Sequence, residues 1–263
     1  MKWLLSIPFL LAVIVCGQSP VVTFFNRVGP AAPAMDTNGL LAWYRADAEA
    51  YAQSASVTNW TDQHAAFDLI DYLGAGTHPT FQTNQVNGYP ALLFDGTDDI
   101  LYANAVNHTG TGVTVLAVVS VETAKNFGIF MSFNEVAGPP TKIFEQRLSG
   151  PVGGTNMTLA AYQGASPAVS LVNLTNVGFR LIIARRDDTA GISGITVHPN
   201  AEITASEAGT SDWYRISVGD RVAGVTTLPL HCRVAEMAVF GFSLGSLDMS
   251  NRVHYFTNKY NLQ

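Results

Sequence analysis

Short apolar segments recur along most of the chain, separated by stretches rich in Gly, Pro, Asn and Asp. They read LLAWYRA, PTFQT, ALLFD, ILYA, VTVLAVVSV, FGIFMSF, KIFEQRL, MTLAAYQ, VSLVNL, FRLIIARR, GITVH, WYRISV and RVAEMAVF. Valine, isoleucine and aromatic residues dominate them, which favours strands over helices. Because so many strands exceed what one open sheet usually holds, the pattern predicts two packed sheets.

The segment VTVLAVVSVE indicates which side of its strand is buried. Alternate residues of a strand point to opposite faces. One face of this segment mixes polar and apolar residues, among them Thr114 and Leu116, and the other is wholly apolar: Val113, Val115, Ala117, Val119 and Val121. We therefore expect the wholly apolar face to line the core.

Convincing helical spacing occurs in the last part of the sequence. Ser246 is a suitable N-cap there, and the apolar residues that follow step by four, three and four positions: Met249, Val253, Phe256 and Tyr260. Such spacing places all four on one helix face. The pattern predicts a short C-terminal helix that packs this stripe against the sandwich.

The first residues have the pattern of a secretory signal peptide. Lys2 precedes an apolar run from Trp3 to Val15, which is shorter than the about 20 residues that span a bilayer. The small residue Gly17 predicts cleavage before Gln18. The mature chain would then have no transmembrane span and would be secreted or lie at a cell or virion surface. An uncleaved anchor and a lipoprotein modified at Cys16 are the alternatives.

This leader sets the expected organisation of the chain. Residues 1–17 are a signal peptide or hydrophobic leader, residues 18–38 a linker or N-terminal arm, and residues 39–263 one domain. Cleavage would leave Cys232 as the single cysteine of the mature chain. A disulfide could not form within it, so the core must supply the stability.

Composition and charge exclude two classes. The chain has 263 residues, of which 48% are hydrophobic and 13% charged, so it can bury a large core and is not disordered. Its formal net charge is -6, and its 14 Lys and Arg residues form no cluster. We therefore expect no nucleic-acid partner.

Several motifs resemble the bacterial and viral laminin-G-like members of the concanavalin A-like lectin/glucanase superfamily. The resemblance runs from about residue 39 to the C-terminus, although residues 122–210 share only the rhythm of strands. The motifs are WYRAD at 43–47, WTD at 60–62, NGYPALLFDGTDD at 87–99, AEMAVF at 235–240 and KYNL at 259–262. The resemblance implies an all-β, two-sheet jelly-roll sandwich with its first and last strands close together.

The acidic stretch FDGTDD has two interpretations. Residues Gly96 to Asp98 are turn formers between two apolar runs, and Asp95 can accept local main-chain N–H bonds, which favours a hairpin turn. A calcium site that uses Asp95, Asp98 or Asp99 is the alternative, although calcium takes about six to eight oxygen ligands. No other cofactor is expected.

Catalytic motifs are absent from the sequence. A glucanase of this superfamily carries acids at alternate positions of a strand, as in Glu-x-Asp-x-Glu, so that they share a face beside the sugar. The nearest run, EITASE, spaces Glu202 and Glu207 oddly and has no aspartate between them. Neither a Gly-x-Ser-x-Gly elbow nor a His-Glu-x-x-His helix occurs. We therefore expect no enzymatic activity.

Glu236 lies amid the apolar residues of RVAEMAVF, where an unpaired carboxylate would be costly. Arg45 or Arg215, each in a strand segment, is the expected partner in a structural ion pair. This interpretation is favoured over a catalytic role for Glu236.

Aromatic residues outside the expected core can stack on a sugar ring. Trp43 and Trp60 belong to the family-like motifs, so core packing is favoured for both. Tyr89, Trp213 and Tyr214 are the candidate carbohydrate-binding residues.

Together these observations predict a secreted, non-catalytic module that binds a glycan or a surface polymer. The alternative is a structural building block of a virion (capsid decoration, fibre or tail) or of another extracellular assembly, whose partners are copies of itself or other subunits. A glycoside hydrolase ranks third. The fold alone does not decide among these functions.

Overall fold

The structure, a computed structural model, describes residues 34–71, 77–104, 106–123, 128–134, 143–149, 156–161, 168–174, 177–206, 213–220 and 228–263. The predicted leader, 1–17, and most of the predicted arm, 18–38, lie outside these residues. Ala32–Gln263 belong to one compact unit, whose first strand begins at Leu40. None of the helical segments described is both long and apolar enough to cross a membrane.

Within the described residues the chain forms two antiparallel sheets and one α-helix, which confirms the predicted two-sheet jelly-roll sandwich with a short C-terminal helix. A 3₁₀ turn, Ala46–Ala48, follows the first strand. The elements are β1 (Leu40–Arg45), β2 (Asn59–Trp60), β3 (Leu69–Asp71), β4 (Thr80–Val86), β5 (Tyr89–Asp95), β6 (Leu101–Ala103), β7 (Gly112–Val121), β8 (Ile129–Asn134), β9 (Ile143–Ser149), β10 (Asn156–Ala161), β11 (Ala168–Asn173), β12 (Arg180–Asp187), β13 (Ile192–Val197), β14 (Ile203–Ser206), β15 (Arg215–Val218), β16 (His231–Phe240) and α1 (Ser246–Tyr260).

The two sheets have eight strands each. We call the sheet on which α1 packs the helix-side sheet. Its strand order is β14-β13-β12-β7-β16-β5-β4, and β1 also pairs with β16. The strand order of the opposite sheet is β11-β10-β9-β8-β15-β6-β3-β2. The first half of β16 pairs with β5 and its second half with β1. The first and last strands are therefore neighbours, as the resemblance implies, and Arg45 lies opposite Glu236.

The main core lies between the two sheets. The predicted face of β7 is entirely within it: Val113, Val115, Ala117, Val119 and Val121. The other face of β7 is buried as well, because Leu116 and Val118 belong to a second apolar cluster beneath α1. A strand covered on both faces needs apolar residues on both, which explains the nearly continuous apolar run of this segment.

Helix α1 covers the outer face of the helix-side sheet. Phe256 and Tyr260 of the predicted stripe are buried there, and the other two stripe residues are partly buried against the same cluster. The predicted N-cap, Ser246, is instead the first helical residue, since the N-cap position is taken by Gly245, which has no side chain to accept a bond. The helix ends at Asn261, whose left-handed conformation (φ 53°) is one that Asn tolerates.

A bulge in β16 determines where Glu236 points. Val234 pairs with Val119 and Glu236 with Val118, so Ala235 is an extra residue in the strand. Because of the extra residue, Val234 lies in the core between the sheets, whereas Ala235 and Glu236 both lie on the helix side. The bulge thereby moves the carboxylate out of the apolar core and places it beneath α1.

The tight hairpin of this region lies between β4 and β5, not at the acidic stretch. Its turn residues, Asn87 and Gly88, have positive φ values of 46° and 86°, as a two-residue type I′ turn requires. The bend after Asp95 instead carries the chain from β5 in the helix-side sheet to β6 in the opposite sheet. The predicted hairpin at Gly96 to Asp98 is therefore wrong.

Asp62 of the WTD motif organises the loop that follows β2. Its carboxylate accepts main-chain N–H bonds of 2.9–3.0 Å from His64, Ala65 and Phe67 in its own loop. It also accepts one of 2.8 Å from Trp43 in β1. These four bonds satisfy the buried carboxylate and tie the loop to the first strand, so the role of this motif is structural.

Candidate functional site

A fully buried carboxylate lies where β16, β1 and α1 meet. Glu236 has no exposed surface. Its Oε1 accepts hydrogen bonds from Trp43 Nε1 at 2.6 Å and from the Tyr255 hydroxyl at 2.9 Å. Its Oε2 accepts bonds from Lys259 Nζ and the Tyr260 hydroxyl, both at 2.6 Å. Four donors from two neighbouring elements therefore compensate the buried charge, and no carboxylate oxygen is left for a substrate.

The ionic partner of Glu236 is Lys259, not Arg45 or Arg215 as predicted. The bulge points Glu236 at the helix, and Lys259 is the cation that α1 presents there, with only 3% of its side chain exposed. Arg45 forms its own ion pair with Asp47, at 2.8 Å. Arg215 lies on β15 in the opposite sheet and therefore cannot reach Glu236.

The network shifts the ionisation of its members. Burial raises the pKa of the Tyr255 and Tyr260 hydroxyls, and the charge of Glu236 raises it further, so both hydroxyls stay protonated and donate. Burial would also raise the pKa of Asp47. Hydrogen bonds and positive charge from its two cationic neighbours outweigh this effect and lower that pKa below its usual value. Asp47 is therefore ionised at neutral pH.

A pocket of ≈ 360 Å³ opens beside this network, and we call it the Tyr89 pocket. Strand β1 and helix α1 each supply two of its lining residues, the 3₁₀ turn and the start of β5 supply one each, and the segment before β1 supplies the last two. Its lining residues are Ala34, Met35, Trp43, Arg45, Asp47, Tyr89, Tyr255 and Lys259.

The hairpin turn and the helix fix the position of Tyr89. Asn87 Nδ2 donates a hydrogen bond of 2.9 Å to the main-chain carbonyl of Lys259 and so ties the turn to the end of α1. The Tyr89 ring packs against Tyr260, with ring centroids 5.3 Å apart, and Lys259 Nζ lies 5.1 Å from the Tyr89 centroid. The ring is therefore held by contacts that belong to the buried network.

The Tyr89 pocket combines aromatic surface with hydrogen-bonding groups. Tyr89 and Trp43 are both half-buried, and the Arg45 guanidinium lies 5.0 Å from the Trp43 ring centroid. Arg45 offers N–H donors and Asp47 offers carboxylate acceptors. Apolar rings with a few fixed polar groups are typical of sites that bind small polar ligands.

The other predicted aromatic residues do not join Tyr89. Trp213 is 5% exposed and packs edge-on against Phe133, with ring centroids 4.4 Å apart, so it belongs to the core. Tyr214 is half-buried and lies directly before β15, in the opposite sheet. Trp60 is in the core as expected, whereas Trp43, expected there too, lines the Tyr89 pocket.

The acidic bend brings together the three predicted calcium ligands. Asp95, Asp98 and Asp99 each place a carboxylate oxygen within 4.8 Å of the others. Asp95 Oδ1 accepts the Thr97 main-chain N–H at 2.7 Å, and Asp99 Oδ2 accepts the Asp95 main-chain N–H at 2.7 Å. Two of the three side chains therefore hold the bend itself, as the turn interpretation requires.

Asp99 is the most buried member of this group. Its side chain is nearly buried, and burial raises the pKa of Asp99 to about 6, with the negative charges of Asp95 and Asp98 adding to the effect. A carboxyl group with this pKa is partly protonated in mildly acidic solution, so it is a poor metal ligand below neutral pH.

A second pocket, of ≈ 400 Å³, lies at the start of α1 and contains no aromatic ring. Its charged residues, Arg185 and Glu202, pair with each other through two bonds of 2.5 and 2.8 Å. Its remaining lining residues are Ile183, Thr196, Leu244, Gly245, Ser246, Met249, Ser250 and Val253. Among its described lining residues there is therefore no ring face on which a ligand could stack.

Sequence reasoning missed most residues of the Tyr89 pocket, among them Trp43 as a lining residue, Asp47 and Lys259. One signal was present in WYRAD, where Trp43, Arg45 and Asp47 occupy every second position and therefore point to one side of an extended segment. A second was the spacing of Lys259 four residues after Tyr255, which places both on one face of α1.

Comparison with solved structures supports the fold assignment. The chain is similar to domain 4 of AbnA, a GH43 extracellular arabinanase from Geobacillus stearothermophilus, in complex with arabinotriose. The TM-score is 0.60 at 10% identity, over 82% of this chain and 98% of that chain. It is also similar to Trypanosoma rangeli sialidase in complex with sialic acid, with a TM-score of 0.58 at 13% identity, over 88% of this chain.

These similarities identify the fold as a β-sandwich. The match covers 35% of the sialidase chain, so it concerns one part of that enzyme. No protein-family model and no curated protein sequence matches the chain. At 10–13% identity the likeness shows the fold alone.

Proposed function

We propose that this chain is a non-catalytic, laminin-G-like module that binds a glycan in the Tyr89 pocket, and that it acts as a secreted or surface-located protein. The observation that carries the proposal is the pocket itself, in which two half-buried aromatic rings, Trp43 and Tyr89, lie beside the Arg45–Asp47 pair. The resemblance of the sequence motifs and the signal-peptide pattern at residues 1–17 support the type of module and its location.

The chemistry of a sugar matches this arrangement. A pyranose ring has a C–H face that packs on an aromatic ring, and hydroxyls that both donate and accept hydrogen bonds. Arg45 and Asp47 present donors and acceptors side by side. The arabinanase domain of the same fold is described in complex with arabinotriose, which supports a saccharide ligand for this chain as well.

The absence of catalysis is part of the proposal. Retaining glycosidases need two carboxyl groups about 5–5.5 Å apart that can reach the sugar. Glu236 is enclosed by four donors, and Asp47 is engaged by Arg45 and Lys259. Glu236 therefore cannot reach a ligand in the pocket, and Asp47, which is ionised at neutral pH, has no proton to donate to one.

The experiment is a glycan array followed by titration calorimetry on the best ligand, with Tyr89→Ala and a matched control, Tyr214→Ala. Loss of the Tyr89 ring is expected to weaken binding at least tenfold, or ~1.4 kcal/mol, while loss of the Tyr214 ring leaves it unchanged. Thermal melts establish that both variants fold.

Three outcomes contradict the proposal. Binding that depends on Tyr214 but not on Tyr89 would place the site on the opposite sheet. Reducing ends released from a polysaccharide by the wild type would make the chain a glycoside hydrolase. Silence on the array together with a stable oligomer would instead favour the structural building block of a virion or extracellular assembly.

A further inference from the structure

We infer that the Tyr89 pocket selects an uncharged saccharide, which it holds through two neighbouring hydroxyls on the Arg45–Asp47 pair. The inference rests on the proposed function and specifies the ligand class. It is carried by the pairing of the charged groups around the pocket and by the donors and acceptors that this pairing leaves free.

The formal charges at the pocket cancel. Two cations, Arg45 and Lys259, face two carboxylates, Asp47 and Glu236, and each cation is in hydrogen-bonding contact with at least one carboxylate. Among the residues that the structure describes, an anionic ligand would find no net positive charge at this pocket. It would also displace existing ion pairs, which costs free energy in a partly buried site.

Lys259 has no donor left for a ligand. Its ammonium group carries three N–H bonds, and it donates to Glu236 Oε2 at 2.6 Å, to Asp47 Oδ1 at 3.1 Å and to the Tyr255 hydroxyl at 3.4 Å. With 3% of its side chain exposed, it orients Asp47 and does not attract a negatively charged sugar.

The Arg45–Asp47 pair keeps spare capacity. Arg45 Nε donates to Asp47 Oδ1 at 3.1 Å and Nη2 to Oδ2 at 2.8 Å, which uses two of the five N–H donors of a guanidinium. Among the described residues, the other N–H donors of Arg45 have no acceptor. Asp47 Oδ2 accepts one bond and can accept another. Free donors on Arg45 beside a free acceptor on Asp47 match two adjacent hydroxyls, of which one accepts and the other donates.

The charge of the whole chain acts in the same direction. At a formal net charge of -6, long-range electrostatics disfavour the approach of a polyanion such as a polyuronate or a sulfated glycan. A neutral polymer is unaffected. Binding of a neutral ligand through hydroxyls and ring stacking should also depend little on ionic strength.

The test compares matched pairs of oligosaccharides by calorimetry with the full chain: the β-1,4-linked tetramers of mannose and mannuronic acid, and those of glucose and glucuronic acid. In at least one pair the neutral member is expected to bind ten times more tightly than the acidic one. Its Kd should change less than twofold between 50 and 500 mM NaCl.

Asp47→Asn supplies a gain-of-binding control. It removes one negative charge from the balanced set, so the preference for the neutral member should fall at least fivefold as the acidic member gains affinity. Arg45→Gln changes the balance in the opposite direction and should abolish binding of both members. Thermal melts of the two variants distinguish this result from unfolding.

The outcomes separate the inference from the proposed function. Tighter binding of the acidic tetramers, weakened by salt and lost in Tyr89→Ala, would overturn the inference and leave the glycan-binding site standing. No binding of any tetramer or array glycan would overturn both. An unchanged preference in a folded Asp47→Asn variant would also overturn the inference, because charge balance would then not set selectivity.

Discussion

The carboxylate of Glu236 and those of the acidic bend differ in where their hydrogen-bond donors come from. Glu236 accepts four hydrogen bonds, and their donors belong to two other elements, β1 and α1. In the acidic bend, Asp95 and Asp99 accept main-chain N–H bonds from residues of the bend itself, and carboxylate oxygens of the three aspartates lie within 4.8 Å of one another. The charge of Glu236 is compensated by these donors, whereas burial and the neighbouring negative charges raise the pKa of Asp99. Donors from separate elements therefore let a carboxylate connect distant parts of the fold, whereas a local cluster of acids raises the pKa of its most buried member.

The largest expected effect follows from breaking the Glu236 network. Glu236→Gln removes the charge that compensates Lys259 and turns an N–H₂ group towards existing donors. We expect a loss of about 3–5 kcal/mol in the free energy of unfolding, because Arg45 and Lys259 then share a single carboxylate, Asp47, and one buried positive charge is in excess. Urea denaturation followed by circular dichroism measures it. The control is Glu202→Gln, at the more exposed pair with Arg185, where the expected loss is about 0–1 kcal/mol.

A double variant separates the contribution of the Glu236–Lys259 ion pair to stability from that of the surrounding packing. Replacing both partners, Glu236→Leu with Lys259→Met, removes both buried charges and should destabilise the chain less than Glu236→Gln alone. A double variant as unstable as the sum of the two single replacements would show that the carboxylate and the ammonium do not act as a pair.

Asp99 is expected to give a smaller, pH-dependent effect. Its pKa in the folded chain is about 6, above the reference value of 3.8, so its contribution to stability is fully present below pH ~4 and is lost as the pH rises through about 6. Asp99→Asn should remove this loss of stability with rising pH and raise Tm at pH 7 by ~2–4 °C. The expected rise in Tm is modest because solvent at the bend screens the charge of Asp99. Thermal melts between pH 3.5 and 7.5 provide the measurement. An unchanged slope of Tm against pH in the variant would assign the dependence to another group.

The smallest effect is expected from metal removal. The three aspartates come from a single bend and supply few of the about six to eight oxygens that calcium takes. A chelator should therefore shift Tm by less than ~1 °C at neutral pH. A large drop in Tm that calcium reverses, and that is absent in Asp98→Ala, would show that the bend is a calcium site. The carboxylates of the bend would then be compensated by a bound cation, as Glu236 is by its donors.

The fold was largely predictable, because hydrophobic periodicity reports burial directly. The apolar face of VTVLAVVSVE lies in the core, and the stripe that ends at Tyr260 packs on the helix-side sheet. The adjacency of β1 and β16 followed from the resemblance of the motifs and not from periodicity, since pairing between distant strands leaves no local pattern.

The position of Glu236 was not predictable in the same way. Regular alternation would have placed Glu236 on the same side as Val234, Ala238 and Phe240. The extra residue Ala235 breaks that alternation, and a bulge has no reliable signature in a single sequence. The predicted partners were therefore sought among strands, whereas the actual partner, Lys259, is on the helix.

The candidate site was predicted only in part. Tyr89 was identified as a candidate carbohydrate-binding residue, but Trp213 was not recognised as a core residue, because a tryptophan has the same apolar body in either place. The type I′ turn at Asn87 and Gly88 was present in the sequence as Asn-Gly, the strongest short-range hairpin signal. The Asp-Gly pair at Asp95 and Gly96 is a hairpin signal of the same kind. Only the sheet that the next strand joins decides which of the two pairs forms a hairpin, and the sequence does not show this.

The place of β16 in the helix-side sheet has a consequence for the order of folding. Strand β16 follows every other described strand in the sequence, yet in the sheet it lies between β7 on one side and β5 and β1 on the other. Trp43 and Glu236, which bond to each other, are 193 positions apart. Strands β1, β5 and β7 therefore leave the ribosome before the strand that joins them exists. Such distant pairing makes assembly slow and leaves apolar edges open to aggregation meanwhile. We expect this sandwich to close after translation of β16, in one late and cooperative step.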